Sequence, residues 1–392
     1  MKASLYIHIP FCKKKCDYCD FFSIGEADRR GKKNDLSDSY ISSIINETRI
    51  YADLYGISEW KSVYTGGGTP SLLSPQQSID LFSGIKKIAP FSKDCEVTFE
   101  MNPDDVTESF LDACQKAGVN RLSMGIQALD DAALNAVNRG SSVEIIMRAL
   151  EALKSHWNGR LSVDFIAGLP NHKWKSFENQ FEILKQYPKI DHVSLYTLTV
   201  EENTPLWKKI EDGKINFSFE RADRMWIKGR NILEKMGFMQ YEVSNFSKKG
   251  FESRHNQTYW HQENYIGVGA GASGTWYDFD KKSALRWTNT LSIPSYIESA
   301  LNRKTEQLDE QTLEFEFLML GFRCLSGVND RDFERRFGKS LAQRIGDGIE
   351  GGVFSKWQKM RLATKTSTPN GTVYALNRRG ILLLNRFLEE LM

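Results

Sequence analysis

Three of the six cysteines, Cys12, Cys16 and Cys19, fall within eight residues, in the stretch Tyr6-Ile7-His8-Ile9-Pro10-Phe11-Cys12-Lys13-Lys14-Lys15-Cys16-Asp17-Tyr18-Cys19-Asp20-Phe21. Their spacing is C-x3-C-x2-C. Closely spaced thiolates from one loop are the usual holders of iron–sulfur clusters. A four-iron cubane takes four protein ligands, so three cysteines leave one iron open to a substrate or cofactor. Zinc is the competing reading, with His8 completing a Cys3His set. Structural zinc sites, however, draw their ligands from two separated knuckles. Disulfides fit less well, because six cysteines in 392 residues is the sparse usage of a reducing compartment. The opening Met-Lys-Ala-Ser leads into a strand-like run and not a secretory signal, so a cytoplasmic protein is expected. Cys95, Cys114 and Cys324 sit in apolar surroundings and read as buried small hydrophobes.

Other residues gain meaning from their distance to this loop. Gly66-Gly67-Gly68-Thr69-Pro70 is on its own a tight turn. Beside a cluster, the same glycines let backbone groups approach a ligand closely. Glu100, Gln127, Arg139 and Asp164 are each, alone, solvated or capping residues. Together they offer carboxylates for hydroxyl groups and a cation for a carboxylate. Lys13, Lys14 and Lys15 are a solvated run that also suits an acidic electron donor. Arg254-His255-Asn256-Gln257-Thr258-Tyr259-Trp260 places a histidine beside aromatic rings. That is the make-up of a heme axial ligand and equally of a surface-loop histidine; His261 is a neighbouring alternative.

The elements that must position these groups alternate. Strands are expected at Ser4–Ile9, Ser62–Tyr64, Glu96–Phe99, Arg121–Gly125, Leu161–Phe165 and His192–Thr197. Helical periodicity covers Asp38–Leu54, Pro75–Ile88, Thr107–Ala117, Ala132–Asn138, Val143–Ser155 and Trp174–Gln186. This alternation implies parallel strands with crossover helices. About six repeats are too few for an eight-stranded closed barrel and predict an open, partial one. Glu100 and Asn102 follow the third strand, Gln127 the fourth, and Asp164 and Tyr196 lie near the ends of the fifth and sixth. The carboxyl ends of parallel strands converge on a site, which brings these groups to the cysteine loop.

Beyond the barrel, Phe217–Met236 reads as a helix and Phe238–Val243 as a strand, followed by a polar, aromatic loop from Asn245 to Tyr265. From about residue 305, helices at Glu310–Phe322, Asp330–Phe337 and Arg378–Leu391 surround a short hairpin turning at Pro369-Asn370-Gly371, a winged-helix-like arrangement. The expected units are residues 1–215, 216–304 and 305–392. The formal net charge of +2 gives no electrostatic case for nucleic acid. No apolar window of about 18 residues predicts a membrane span.

Over nearly its whole length the chain resembles the oxygen-independent coproporphyrinogen III oxidase family of radical S-adenosylmethionine (SAM) proteins. The matching pieces are Tyr6 through Phe21, Gly66–Ser71, Glu100–Pro103, Ser123 through Gln127, Asn138-Arg139-Gly140, Asp164 through Pro170 and Ser194–Tyr196. The resemblance implies an α/β fold, a partial (β/α)6 radical SAM barrel with a strand–helix extension and a small C-terminal winged-helix-like domain. It implies a [4Fe–4S] cluster on Cys12, Cys16 and Cys19, with SAM on the open iron as a source of the 5′-deoxyadenosyl radical. It also implies SAM contacts from Tyr6, Tyr18, Gly67, Gly68, Thr69, Glu100, Gln127, Arg139 and Asp164, and from the backbone of Leu198. An electron donor such as flavodoxin or ferredoxin is the implied partner.

The chain departs from the oxidases at two places. They carry a further cysteine where this sequence has Phe21, and an N-terminal extension before the first strand. His255-Asn256-Gln257-Thr258-Tyr259-Trp260 instead resembles the H-N-x-x-Y-W motif of the family's heme-chaperone branch, which implies that His255 binds heme. The reading is a heme carrier that hands heme to client, respiratory hemoproteins and contacts membrane clients at most peripherally. The alternatives are decarboxylation of coproporphyrinogen III propionates and radical chemistry on heme itself. Whether the chain turns over a small molecule, and its oligomeric state, stay open at this level.

Overall fold

The computed structural model describes residues 1–29 and 38–392. Six strands, β1 (Lys2–Ile9), β2 (Glu59–Gly67), β3 (Phe91–Met101), β4 (Arg121–Gln127), β5 (Arg160–Ala167) and β6 (Ile190–Thr197), lie side by side in chain order. All five ladders between them are parallel. In this register Tyr6 faces Tyr64, and Ile9 faces Gly67. The sequence places all six, and the structure extends each by one to five residues at one or both ends.

The crossover helices start and stop where their caps dictate. Ser74 and Gln77 form a reciprocal capping box ahead of Pro75, which stands at the first helical position of Pro75–Ile88. Thr107 caps the helix Glu108–Ala117, and Gly118 closes it at φ 85°. One face of the strands is apolar: Leu5, Ile7, Val63, Val97, Phe99, Leu122, Val163, Phe165 and Leu195 are buried under Leu81, Phe82, Leu150, Phe177 and Phe181 of the helices. Each such side chain contributes about 1.5–3 kcal/mol of transfer free energy. The other face is polar. Ser4, Tyr6 and His8 alternate on β1, Ser62 and Tyr64 on β2, and Glu96, Thr98 and Glu100 on β3. They line the inside of the curved sheet, away from the crossover helices.

The chain after the barrel adds strands at both edges. β7 (Met239–Gln240) and β8 (Asn245–Ser247) run antiparallel beyond β6. β9 (Tyr265–Val268) pairs parallel with β1, and β10 (Ser273–Asp278), β11 (Ser283–Asn289) and β12 (Arg303–Leu308) continue antiparallel. Among the described residues the sheet therefore has twelve strands in the linear order β12-β11-β10-β9-β1-β2-β3-β4-β5-β6-β8-β7, and no ladder joins its ends.

Two sequence expectations need correction here. The strand expected at Phe238–Val243 shrinks to the two residues of β7. The loop expected from Asn245 to Tyr265 holds β8 and a helix, Arg254–Trp260, capped by Ser253. From residue 310 a second core forms around Leu318, Phe322, Phe333, Phe354, Trp357 and Phe387. It joins helices Glu310–Phe322, Asp330–Phe337 and Leu384–Leu391 to a three-stranded sheet containing the hairpin Ala363–Thr368 and Gly371–Leu376. Among the described residues no helix is long and apolar enough to cross a membrane.

Candidate functional site

A cavity of about 410 Å³ opens at the carboxyl ends of the barrel strands. Twelve of the fourteen candidate residues line it: Cys12, Cys16, Cys19, Tyr18, Gly67, Gly68, Thr69, Glu100, Gln127, Arg139, Asp164 and Leu198. Tyr6 and His255 do not.

The cysteine loop is fastened at Asp17. The Asp17 N–H donates to Val137 O at 3.0 Å, and the Asp17 carboxylate pairs with Lys209 at 2.5 Å. The Leu206 N–H donates to Asp17 O at 2.9 Å. Two neighbours meet the thiols directly: Thr69 Oγ1 lies 3.5 Å from Cys12 Sγ, and Arg139 Nη1 lies 3.6 Å from Cys16 Sγ. Arg139 is aimed by Asn102 Oδ1 at 2.6 Å and Gly125 O at 2.7 Å. His8 is no fourth ligand, because its Nδ1 meets Tyr6 OH and its Nε2 meets Phe22 O, each at 2.9 Å. Among the described residues no three His, Cys, Asp or Glu side chains gather round a point that one metal ion could fill. Cys12, Cys16 and Cys19 all line the one cavity, and closely spaced thiolates from one loop are the ligand set of an iron–sulfur cluster. Burial pushes the Cys19 thiol up to about 11, a cost that metal coordination offsets by deprotonating the thiol.

Across the cavity the polar groups are held and partly desolvated. Tyr64 OH donates to Glu100 Oε1 at 2.6 Å, and the Gly67 N–H donates to Oε2 at 3.3 Å. Burial raises the Glu100 carboxyl to about 7, and the hydrogen bond from Tyr64 works against that rise. Burial also raises the Asp164 carboxyl, against hydrogen bonds from Ser194 and Ser123. Gly67 has φ 111°, and a Cβ there would stand 2.6 Å from the His8 ring, so only glycine fits. Gln127 holds φ 68°, in the left-handed region, at a register shift between β4 and β5. Strain of this kind is retained where a site requires it.

His255 lies elsewhere. Its helix, Arg254–Trp260, plugs the opposite, amino-terminal end of the barrel. The ring is buried, with Nδ1 2.8 Å from Ser62 Oγ and Nε2 2.7 Å from Tyr259 OH. The His255 N–H donates to Glu96 Oε1 at 3.0 Å, and Thr258 Oγ1 meets Ser4 Oγ at 2.9 Å. Burial lowers the imidazole to about 3, with Arg121 adding to the effect. Trp260 is covered by the Arg323 guanidinium at 4.5 Å.

Sequence reasoning missed Tyr64 and Ser123, which hold the two site carboxylates. Their signal was available: polar residues at every second position of buried strands mark an inner face. Tyr6, expected as a cofactor contact, sits below the cavity as the partner of His8.

The radical SAM superfamily model matches residues 6–214, and the HemN C-terminal domain model matches residues 308–351. "Radical S-adenosyl methionine domain-containing protein 1, mitochondrial" of Mus musculus is 34% identical, over 85% of this chain and 76% of that protein. "Heme chaperone HemW" of Lactococcus lactis is 33% identical over 88% of each chain. The Haemophilus influenzae protein of the same name is 32% identical over 98% of this chain and 97% of its own length. Among solved structures, coproporphyrinogen III oxidase (HemN) from Escherichia coli superposes with a TM-score of 0.81 at 20% identity, covering all of this chain and 90% of that one. That likeness extends to the fold.

Proposed function

The chain belongs to the radical SAM superfamily, in one family with the heme chaperones HemW, and from that premise we propose that it is a heme chaperone. It binds heme, a [4Fe–4S] cluster and SAM, and passes heme to hemoproteins. The observation that carries this is the family match over most of the chain together with the three thiols on a cavity lined by paired, partly desolvated carboxylates and one aimed arginine.

Cys12, Cys16 and Cys19 would hold the cluster, which when bound supplies one-electron reduction and an open iron for SAM. Gly67 and Gly68 give the ligand backbone access, and Glu100 and Asp164 offer acceptors for its hydroxyl or amino groups. Arg139 donates beside Cys16, and Gln127, Thr69, Tyr18 and Leu198 close the walls. We assign heme to His255 on the strength of its motif. For iron to take this ring, Nδ1 must leave Ser62 or Nε2 must leave Tyr259, since both nitrogens are engaged. Lys13, Lys14 and Lys15, at the rim of the cysteine loop, suit an acidic donor such as flavodoxin or ferredoxin. Six free thiols fit a reducing compartment such as the cytoplasm.

Decarboxylation of coproporphyrinogen III is the second reading, carried by the fold it shares with the oxidase. Phe21, 65% exposed at the cavity, stands against it. The test is anaerobic reconstitution of the full chain, measuring iron, sulfide and heme per chain, followed by incubation with coproporphyrinogen III, SAM and a reductant. Stoichiometric heme with no protoporphyrinogen is the expected result. Turnover without heme binding would overturn the proposal, and heme binding undiminished in His255→Ala would remove that residue's role.

A further inference from the structure

Among the described residues, the buried histidine that no partner satisfies is His172. It is 0% exposed, yet neither Nδ1 nor Nε2 has a hydrogen-bond partner. Buried polar groups are as a rule hydrogen-bonded, so such a pair of nitrogens calls for an occupant. His172 lines a separate cavity of about 260 Å³, formed where the loop after β5 wraps the start of the helix Phe219–Lys235. The fit there is tight: Gly168, at φ 86°, would place a Cβ 2.2 Å from the Ala222 Cβ.

The other walls are electropositive. Arg221 and Lys173 both line the cavity, and Arg221 donates to His172 O. Two helices begin on it. Lys173 is the N-cap of Trp174–Leu184 and supplies no capping side chain, so that helix's first amides keep their donors. Ser218 caps Phe219–Lys235 through the Arg221 N–H, leaving the first two amides of that helix free. Helix N-termini favour anions through these donors and the macrodipole. The nearby carboxylate, Asp130, is outside the lining; it accepts from Ala132 and Ala133 N–H and from the Ser176 side chain, and its charge also acts on His172. Burial keeps the His172 imidazole neutral, lowered to about 4, which leaves one N–H to donate. The exposed rings of Trp174 and Phe219 directly follow Lys173 and Ser218 in the chain.

We propose that this cavity is an oxyanion site, taking a carboxylate or phosphate group through His172, Arg221, Lys173 and the two helix starts. It is independent of the cluster cavity and of the heme assignment. The test uses the full apo chain with 15N-labelled histidine, the His172 signals assigned from His172→Asn. Inorganic phosphate and propionate are titrated in separate arms at constant ionic strength. A saturable shift of the His172 ring signals is expected in at least one arm, and the arm saturating at lower concentration names the class. Arg221→Gln should raise the half-saturating concentration about tenfold or more. Lys173→Gln should raise it less, with the thermal midpoint confirming that each variant folds. His172 signals unmoved by both anions, or shifts unchanged in both variants, would overturn the site.

Discussion

The two ends of the barrel use the same kinds of side chain to opposite effect. At the carboxyl end, Glu100, Asp164, Arg139 and three thiols face open volume, with donors and acceptors to spare. At the amino end, Glu96, Ser4, Ser62 and His255 face one another and spend their hydrogen bonds internally. The first arrangement is prepared for a ligand. The second is a closed seal, and any ligand for His255 must first compete with Ser62 and Tyr259. The contrast shows that a motif residue can be present and still unavailable in the resting fold.

The largest effect should come from the open end. Cys16→Ser removes one of the three proposed cluster ligands, and loss of iron and sulfide should exceed the roughly 10–100-fold seen when an outer-shell partner is lost. Far-ultraviolet circular dichroism should stay unchanged, because the loop is held separately through Asp17. Retention of full iron content would erase the distinction drawn between the two ends.

Next in size is the seal. Glu96→Ala leaves Arg160 without its 2.8 Å partner and frees the His255 and Ser253 donors. Breaking a fully buried pair costs about 3–5 kcal/mol; the loss here should be smaller, since Arg160 is partly exposed and keeps Asp191 at 4.0 Å, and urea unfolding of the apo chain measures it. If the seal gates heme, the same variant should bind heme faster in stopped-flow mixing.

Opposite pH dependences provide a finer test. Glu100, raised from 4.5 to about 7, binds its proton more tightly in the folded state. It therefore stabilises at low pH, and that contribution is lost as pH rises from about 4.5 to 7. His255, lowered from 6.5 to about 3, holds its proton less tightly when folded. Its contribution is present above pH 6.5 and lost as pH falls towards 3. Glu100→Gln should flatten the higher-pH limb of apo stability, and His255→Asn the acid limb. The urea midpoint followed from pH 4 to 8 checks both. Smallest of all, Tyr259→Phe should cost about 1 kcal/mol, the net value of one hydrogen bond, while releasing His255 Nε2. A gain in heme affinity despite that loss would sharpen the picture of a sealed histidine.

Much of this was legible in advance. The β1–β6 alternation stood out because apolar strand cores are punctuated by capped helices, and the cysteine spacing identified the loop. The helix Arg254–Trp260 was not legible: His, Asn, Thr, Tyr and Trp are middling helix formers, and the segment is helical because Ser253, Glu96 and Ser4 hold it. β9–β12 were hidden by the glycine run Gly267–Gly271 and the charged turn Asp278–Lys282. The inner row that includes Tyr64 and Ser123 was not legible residue by residue, because the carboxylates these two hold, Glu100 and Asp164, come from other strands.

The position of β9 carries a consequence for biosynthesis. β1, which leads into the cysteine loop, lies inside the finished sheet, but its neighbour on one side is encoded some 260 residues later. At a ribosomal rate of roughly 5–20 residues per second, that edge of β1 waits on the order of tens of seconds for its partner. An unpaired strand edge is a template for wrong pairing. The nascent chain thus spends that interval with the backbone beneath its future metal loop unprotected, so assembly of the cofactor scaffold is completed only when the segment around Tyr265 has left the ribosome.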